Sequence, residues 1–311
     1  MILQLDSVTK DYIWGGTRLR DEFGKNGGNR IAESWELSIH PDGMCRIRGG
    51  EFHGMTLREF IEKFPESTGK NSAGNIPVLI KLIDAKDNLS VQVHPDNDYA
   101  RKFEGDNGKT EMWYIVDCDD EASIIYGLKD KLSRQEFKAA IAENSLMDKV
   151  NVVPVSKGDV FLIRAGTLHA IGKGCLIAEI QQCSNVTYRV YDYDRRDENG
   201  VPRQLHIDKA VDVTRLEVEA LPVRNNCDSC EKQDRELINC EYFRVAVENI
   251  NGTGKNHINN ESFTHILFID GDGAVASSSE RLAAKKGDSF FVEAGTDWSV
   301  NGNCSIIYTV V

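Results

Sequence analysis

The sequence has no long hydrophobic run and no excess of positive charge. Although 41% of its 311 residues are hydrophobic, no stretch approaches the roughly 20 apolar residues that span a bilayer, and residues 1–16 have no apolar core of signal-peptide length. Lys and Arg number 37 against 49 Asp and Glu, which gives a net charge of −12. We therefore expect a cytoplasmic protein that binds neither nucleic acid nor a membrane, although a few local cations would suffice for an anionic small molecule.

The eight cysteines form no recognisable disulfide framework. They are scattered through a long chain, whereas disulfide scaffolds are short and dense in cysteine. Cys227 and Cys230 make a single Cys-x-x-Cys pair, without the second pair that would complete a zinc ribbon. We interpret them as two loop cysteines on the solvent side.

The chain is rich in short runs that are typical of β-strands. Runs of β-branched and aromatic residues, such as 112–116 and 160–163, recur between Asn, Asp and Gly turns. Helical spacing is confined to a helix that begins at Thr56, an insert near 131–149 and a short segment near 208–214. The pattern predicts an all-β fold with a few short helices.

One segment of the chain is repeated. Residues 158–169 recur at 287–298 with a constant offset: Gly, Asp, Phe, Ala, Gly and Thr keep their places, but Trp298 stands where the first copy has His169. We therefore predict two related β units, of which only the first kept a ligand. The predicted division is a catalytic metal-binding domain at 1–216, a linker at 217–236 and a degenerate C-terminal domain at 237–311.

The repeated segment resembles the second motif of the cupins. Its two turn glycines, apolar strand and His169 have the cupin spacing, with Arg164 where cupins usually have proline. Gln92-Val-His94 resembles the His-x-His of the first cupin motif, with Gln in the first place. Many short strands with such turns predict two cupin-type jelly-roll units.

Four residues of the first unit form a candidate metal site. Gln92 and His94 are two residues apart and point to the same face of a strand, while Glu111 and His169 come from other strands. Each alone would be interpreted as structural, but together they supply convergent zinc ligands. An amide ligand is uncommon, and the donor set also suits manganese, iron, cobalt or nickel. We predict one Zn²⁺ per chain, with the choice of metal left open.

Cations and polar side chains accompany these ligands. A lysine interrupts the apolar run 78–83, and such a lysine usually has a partner. Polar residues alternate along 179–181 and 185–191, which predicts a pocket face inside a small barrel, although an outer solvated face would give the same pattern. The residues concerned are Lys81, Lys109, Arg164, Glu179, Asn185 and Arg189.

This combination suits a phosphorylated sugar as substrate. Cations would bind the phosphate, while a metal would polarise a carbonyl beside a hydroxyl and stabilise an enediolate. A general base would then move a proton between C1 and C2.

Several motifs are spread over nearly the whole chain. They are Trp14-Gly-Gly, Glu33-Ser-Trp-Glu, Pro77-Val-Leu-Ile-Lys81, Leu89-Ser-Val-Gln-Val-His-Pro95, Gly108-Lys-Thr-Glu-Met-Trp113, Ala165-Gly-Thr-Leu-His-Ala170 and the segment 179–189. Together they resemble type I mannose-6-phosphate isomerase in its short bacterial form.

The resemblance implies interconversion of mannose 6-phosphate and fructose 6-phosphate at a zinc site. The substrate contacts that we expect are Lys81, Ser90, Arg164 and Asn185, of which Ser90 rests on the resemblance alone. By resemblance the zinc ligands fall on Gln92, His94, Glu111 and His169, the active-site arginine on Arg189, and the motif lysines on Lys81 and Lys109.

Two departures from the family leave the proton-transfer residue open. The longer enzymes have a histidine where this chain has Gly108 and an aspartate where it has Asn185. Either residue has been a candidate acid or base, so that role cannot be transferred. We hypothesise that Glu179, Lys109 or a metal-bound water moves the proton.

Two other interpretations are compatible with the sequence. Another metal-dependent cupin enzyme, such as an Fe(II) oxygenase, would also use two histidines and a carboxylate, and loss of activity without oxygen would favour it. A non-catalytic sensor would bind a sugar phosphate tightly without isomerising it. The sequence does not decide between a monomer and a homodimer.

Overall fold

Strands predominate in the computed structural model, which describes residues 1–70, 72, 74–196, 199–221, 234–258 and 261–311. The chain divides into two compact units. Unit 1 comprises Met1–Asp11, Thr17–Leu82 and Asn226–Val311, and unit 2 comprises Tyr12–Gly16 and Ile83–Asn225. No helix in the described ranges is long and apolar enough to cross a membrane. The predicted all-β fold with cupin-type units is confirmed.

Unit 1 contains an eight-stranded antiparallel sheet. Its strands are β1 (Ile2–Asp6), β6 (Arg46–Arg48), β16 (Arg235–Asn239), β17 (Arg244–His257), β18 (Thr264–Ala276), β19 (Arg281–Lys285), β20 (Ser289–Val292) and β21 (Trp298–Val310). The order is β16-β17-β21-β18-β20-β1-β6, and β19 pairs with β18. Alternating apolar side chains, among them Ile266, Phe290 and Trp298, bury one face as the core of this unit.

The remaining elements of unit 1 are short. Thr56 caps α2 in a capping box with Glu59, as the sequence predicts. The elements are β2 (Val8–Lys10), which pairs with β3 (Glu33–Leu37); β4 (Ile39–His40), which pairs with β5 (Gly43–Met44); α1 (Arg18–Asp21); α2 (Leu57–Lys63); and a 3₁₀ turn at Pro65–Thr68. Strand β7 (Val78–Ala85) runs from unit 1 into unit 2.

Unit 2 carries two groups of antiparallel strands. One sheet has the order β11-β10-β13-β8-β15, and a second group has the order β12-β9-β14. Their bounds are β8 (Val91–Val93), β9 (Glu111–Cys118), β10 (Ser123–Leu128), β11 (Val150–Pro154), β12 (Val160–Ile163), β13 (His169–Ile171), β14 (Cys175–Gln182) and β15 (Tyr188–Tyr191).

Helices cover one face of the five-stranded sheet in unit 2. Its helical elements are α3 (Asn97–Phe103), α4 (Arg134–Ala142), a 3₁₀ turn at Leu146–Asp148 and α5 (Ile207–Val213). Val93, Ala170 and Val190 pack in one apolar cluster with Phe137 of α4 and Ala210 of α5. Because side chains alternate along a strand, the neighbours of these residues face the opposite side of the sheet. Because the helices cover the apolar face, the polar side chains of these strands lie on the other face of the sheet.

The repeat seen in the sequence is a structural repeat. Strands β12 and β20 occupy the same positions in the two copies, as do the starts of β13 and β21. Gly158 and Gly287 have φ values of 87° and 89°, and each turn is closed by an aspartate that accepts a backbone N–H three residues earlier, at 2.9 and 3.0 Å. In the second copy Trp298 belongs to the apolar core. The position that His169 occupies in the first copy is therefore filled by a core side chain in the second.

Two points concern the predicted division of the chain. Unit 1 joins the N-terminal segments to the C-terminal repeat, and the boundaries 1–216, 217–236 and 237–311 stay a prediction. Most of the predicted linker, including Cys227 and Cys230, lies outside the described residues.

Helices α1 and α3 were not predicted from the sequence, while those near 131–149 and 208–214 are confirmed by α4 and α5.

Candidate metal centre

Three buried side chains of unit 2 converge on one point. His94 follows β8, Glu111 begins β9 and His169 begins β13, and each is at most 1% exposed. His169 Nε2 lies 3.4 Å from Glu111 Oε1, and His94 Nε2 lies 3.5 Å from Glu111 Oε2. The three ligand atoms lie within 4.8 Å of one another and could hold a metal ion.

Backbone carbonyls orient both imidazoles. His94 Nδ1 lies 2.8 Å from the carbonyl oxygen of Val186, and His169 Nδ1 lies 2.8 Å from that of Thr167. Since a carbonyl can only accept, each Nδ1 carries the hydrogen and each Nε2 keeps its lone pair. Both lone pairs therefore point towards Glu111, an arrangement that is usual for histidines that bind metals.

The electrostatics of the cluster favour its metal-binding protonation states. Burial, followed by the Lys109 cation, lowers the pKa of His94 to about 3. Burial likewise lowers the pKa of His169, against the opposing effect of Glu111. Burial alone would raise the pKa of Glu111, but the Lys109 cation holds it well below its usual value. Neutral imidazole and ionised carboxylate are the forms that bind cations.

The residues present fit a divalent cation. Apart from an ion pair with Lys109, neither oxygen of Glu111 has a hydrogen-bond partner among the described residues, although both are buried. A buried carboxylate oxygen without a hydrogen bond destabilises the fold unless a cation or another donor interacts with it. Two ligand atoms that each lie roughly 2.0–2.2 Å from a tetrahedral ion are about 3.3–3.6 Å apart, which matches the separations measured here.

Gln92, the fourth predicted ligand, lies beside the cluster. It is the register partner of His169 on one side and of Arg189 on the other. Its amide nitrogen lies 3.5 Å from His169 Nε2. Rotation of the amide by 180° would bring the oxygen to the same place, so Gln92 is within reach of an ion at the cluster.

Lys109 and Glu179 border the cluster. Lys109 Nζ lies 2.7 Å from Glu111 Oε2, 3.3 Å from His94 Nε2 and 3.8 Å from Glu179 Oε1. Glu179, on β14, is 3% exposed and accepts a hydrogen bond of 2.9 Å from Trp113 Nε1. Two carboxylates, a cation and two imidazoles thus lie together in a site from which water is largely excluded.

Arg189 and Ser90 extend the same sheet face. Ser90, Gln92 and His94 alternate along β8 and its flanks, so their side chains share one side. Arg189 is directly opposite Gln92 on β15, and its Nε donates to Ser90 Oγ at 3.1 Å. Directly opposed residues have Cβ atoms about 4.5–5.5 Å apart, so Arg189 lies close to Gln92, beside the His94–Glu111–His169 cluster.

The other predicted contacts have different surroundings. Lys81 belongs to unit 1, where it is buried, lies 3.5 Å from Glu33 and lies over the ring of Trp35. Arg164 and Asn185 are exposed residues in turns of unit 2. A substrate role for these three stays a prediction.

Two more side chains belong to the site: Trp113, which the sequence analysis did not select, and Gln181, which it placed only on the polar strand face 179–181. Trp113 lies edge-on to the His169 ring at 5.5 Å and donates to Glu179. Gln181 is fully buried opposite Glu111 in the β14–β9 register, and its Oε1 has no hydrogen-bond partner within the described ranges. The signal was available, because each lies two residues from a selected carboxylate on the same strand.

Comparisons with known proteins point to one family. A family model described as the catalytic domain of type I phosphomannose isomerase matches residues 2–123, and one for the mannose-6-phosphate isomerase cupin domain matches 233–311. A mannose-6-phosphate isomerase of Streptococcus mutans is 37% identical over 98% of this chain and 96% of its own length.

Solved structures give the same picture. The crystal structure of the Bacillus subtilis mannose 6-phosphate isomerase has a TM-score of 0.89 and 36% identity, and the match covers 100% of this chain and 99% of that one. Among curated relatives, the mannose-6-phosphate isomerase ManA of Bacillus subtilis is 38% identical over 93% of this chain and 91% of its own length. This likeness extends to both repeats.

Proposed function

Because the chain belongs to the type I phosphomannose isomerase family, we propose that it interconverts mannose 6-phosphate and fructose 6-phosphate at a zinc ion bound by unit 2. The observation that carries the proposal is identity of 36–38% to mannose-6-phosphate isomerases over almost the whole chain. The buried His94–Glu111–His169 cluster supports it, since the cluster supplies the donor atoms that such a cation requires. A cytoplasmic location stays a prediction.

We assign the ion to His94, Glu111 and His169, with Gln92 as a fourth ligand. When bound, a divalent cation supplies Lewis-acid polarisation of the carbonyl and offsets negative charge on the sugar oxygens. Nitrogen and oxygen ligands suit zinc but also other first-row metals. Metal analysis therefore belongs to the test of this proposal.

We assign the proton transfer to Glu179. In the open-chain aldose the C2 hydrogen leaves as a proton to Glu179, its bonding electrons form the C1–C2 double bond, and the π electrons of the C1 carbonyl move to O1. The C2 carbonyl then forms as O2 loses its proton, the electrons of the C1–C2 double bond take the proton back at C1, and O1 ends as a hydroxyl with the proton that O2 has lost. Glu179 is a buried carboxylate outside the ligand cluster, and Trp113 holds one of its oxygens. Lys109 lies between Glu179 and Glu111 and serves as a hydrogen-bond donor to a substrate oxygen.

The structure also explains one departure from the longer family members. A Cβ atom at position 108 would lie 2.3 Å from the backbone carbon of Asp96 and 2.4 Å from the backbone nitrogen of Asn97. Such distances leave no room for a side chain at Gly108. The histidine of the longer enzymes therefore has no counterpart here, which supports an acid–base group elsewhere.

We assign substrate binding to Arg189 and Ser90, which share the sheet face of the metal ligands. Two of the five guanidinium hydrogens of Arg189 go to Ser90 and a backbone carbonyl, and the rest can bind phosphate or sugar oxygens. Lys81, Arg164 and Asn185 stay candidates for further contacts.

A coupled assay tests the proposal. Purified protein is given mannose 6-phosphate, and fructose 6-phosphate is followed before chelation, after chelation and after return of zinc. We expect turnover that chelation abolishes and zinc restores. If the protein binds the sugar phosphate but does not turn it over with any divalent metal, it is a non-catalytic sensor and not an isomerase. A requirement for oxygen would indicate an oxygenase.

A further inference from the structure

Arg189 is held by two segments of unit 2 that are far apart in the sequence. Its Nε donates to Ser90 Oγ at 3.1 Å, and Nη1 donates to the carbonyl of Gln204, also at 3.1 Å. Its backbone N–H donates to His206 Nδ1 at 3.2 Å, and its carbonyl accepts the N–H of His206 at 2.8 Å. The direction of the guanidinium therefore depends on both segments.

A single buried carboxylate lies just beyond the end of β15. Asp192 is 6% exposed. Arg203 donates two hydrogen bonds to it, from Nε to Oδ2 at 2.7 Å and from Nη2 to Oδ1. Arg195 donates to Oδ1 from Nη2 at 2.5 Å. A two-point contact fixes the orientation of a guanidinium as well as its distance.

The two arginines that bind Asp192 lead to the two supports of Arg189. Arg203 is covalently joined to Gln204, whose carbonyl holds the guanidinium of Arg189. Arg195 Nη1 donates to the carbonyl of Asn88, two residues before Ser90. The Asp192 carboxylate thus links the segment that carries the Ser90 hydroxyl to the segment that carries the Gln204 carbonyl.

The charges make this link necessary. Burial, and then the nearby Arg203, lower the pKa of Arg189, and Asp192 opposes them. Burial by itself would raise the pKa of Asp192, but hydrogen bonds from Arg203 and Arg195 keep it below its usual value. Three cations therefore share one ionised carboxylate, and without it the two outer arginines would repel Arg189 and each other.

We propose that Asp192 is a positioning residue that fixes, through Arg195 and Arg203, the direction in which Arg189 meets the sugar phosphate. The inference rests on the proposed function, because it takes Arg189 as a substrate contact. Asp192 itself has its oxygens engaged by arginines and does not touch the substrate. Loss of its charge should loosen Arg189 while the metal ligands stay in place.

The test is Asp192→Asn, which keeps the shape and removes the charge. We expect KM for mannose 6-phosphate to rise about tenfold, with kcat changed much less, as for the loss of a contact made equally in ground and transition states. In an Arg189→Ala background the same substitution should add little, since no guanidinium is left to position. A purely structural role would give additive effects.

Glu104→Gln is the matched control. Glu104 is a partly buried carboxylate of unit 2 that accepts from Tyr188 at 2.7 Å and Lys209 at 2.6 Å. Its loss removes an ion pair with Lys209 and, within the described residues, leaves the bonds of the Arg189 guanidinium to Ser90 and Gln204 unchanged. We expect a shift in thermal midpoint and an unchanged KM. Metal content, measured for every variant, should match that of the wild type.

Arg203→Lys is a second variant, for the case in which Asp192→Asn folds poorly. It keeps the charge, loses the two-point contact, and should raise KM in the same direction. Unchanged KM in either well-folded variant, or additivity with Arg189→Ala, would overturn the inference. If the wild type does not turn over, binding of mannose 6-phosphate measured by calorimetry decides instead: unaltered affinity of Asp192→Asn overturns the inference, whereas absent binding by the wild type overturns the proposed function with it.

Discussion

Glu111 and Glu179 show how surroundings divide the work of two buried carboxylates. Glu111 faces the lone pairs of two imidazoles, which suits a metal ligand. Glu179 is held by an indole N–H and faces an ammonium group, which suits a group that exchanges protons with a substrate. We expect Glu179→Gln to lower kcat by roughly 10²–10⁴-fold, the usual worth of a general base, with zinc content unchanged.

Steady-state kinetics and metal analysis of the same preparation check this expectation, with Glu104→Gln as the control carboxylate. Full turnover of Glu179→Gln with intact metal would exclude Glu179. Lys109 or a metal-bound water would then be left as the proton carrier.

At the scale of the element, the second copy of the repeat offers a matched pair of turns. Gly287 and Gly295 both have positive φ, 89° and 78°. A Cβ atom at Gly287 would lie 2.2 Å from the carbonyl oxygen of Phe23, whereas at Gly295 it would meet nothing within 4 Å. The backbone strain is therefore shared by the two positions, but the crowding is confined to Gly287.

We expect Gly295→Ala to lower the free energy of unfolding by about 1–2 kcal/mol, the cost of a left-handed conformation for a residue with a Cβ. Gly287→Ala should cost about 1–3 kcal/mol more, because it also overpacks the turn. Urea unfolding followed by circular dichroism measures the difference. Equal losses for the two variants would contradict the crowding seen at Phe23.

At the scale of the whole molecule, stability should depend on the metal. A ligand that binds only the folded state adds about 2.7 kcal/mol at a concentration of 100 times its Kd. We expect chelation to lower the thermal midpoint, and zinc to restore it. In Glu111→Gln the midpoint should respond to zinc far less, since one of the three convergent ligands is weakened.

The zinc-dependent shift of the midpoint is the quantity to compare, because the substitution also alters the stability of the metal-free protein. Glu104→Gln should keep the full shift. A full shift in Glu111→Gln as well would place the stabilising ion outside the His94–Glu111–His169 cluster.

The local features of this protein follow from short patterns in its amino-acid sequence. Alternation of apolar and polar residues marks the strands, because a strand presents successive side chains to opposite faces. Turn glycines and aspartates mark the repeat, since few other residues adopt those turns. The spacing of Gln92 and His94, and the loss of histidine at Trp298, pointed to the first copy as the one with the candidate metal site.

The contacts that those residues make depend on how the folded chain packs. Backbone carbonyls such as that of Val186 fix the histidine tautomers, and no sequence pattern marks a carbonyl for that task. Unit 1 groups residues 1–11 and 17–82 with the C-terminal repeat. Asp192 is linked through Arg203 and Arg195 to the supports of Arg189, and both arrangements join segments far apart along the chain. Such contacts are set by the packing of whole strands and loops, which the spacing of residues along one chain does not encode.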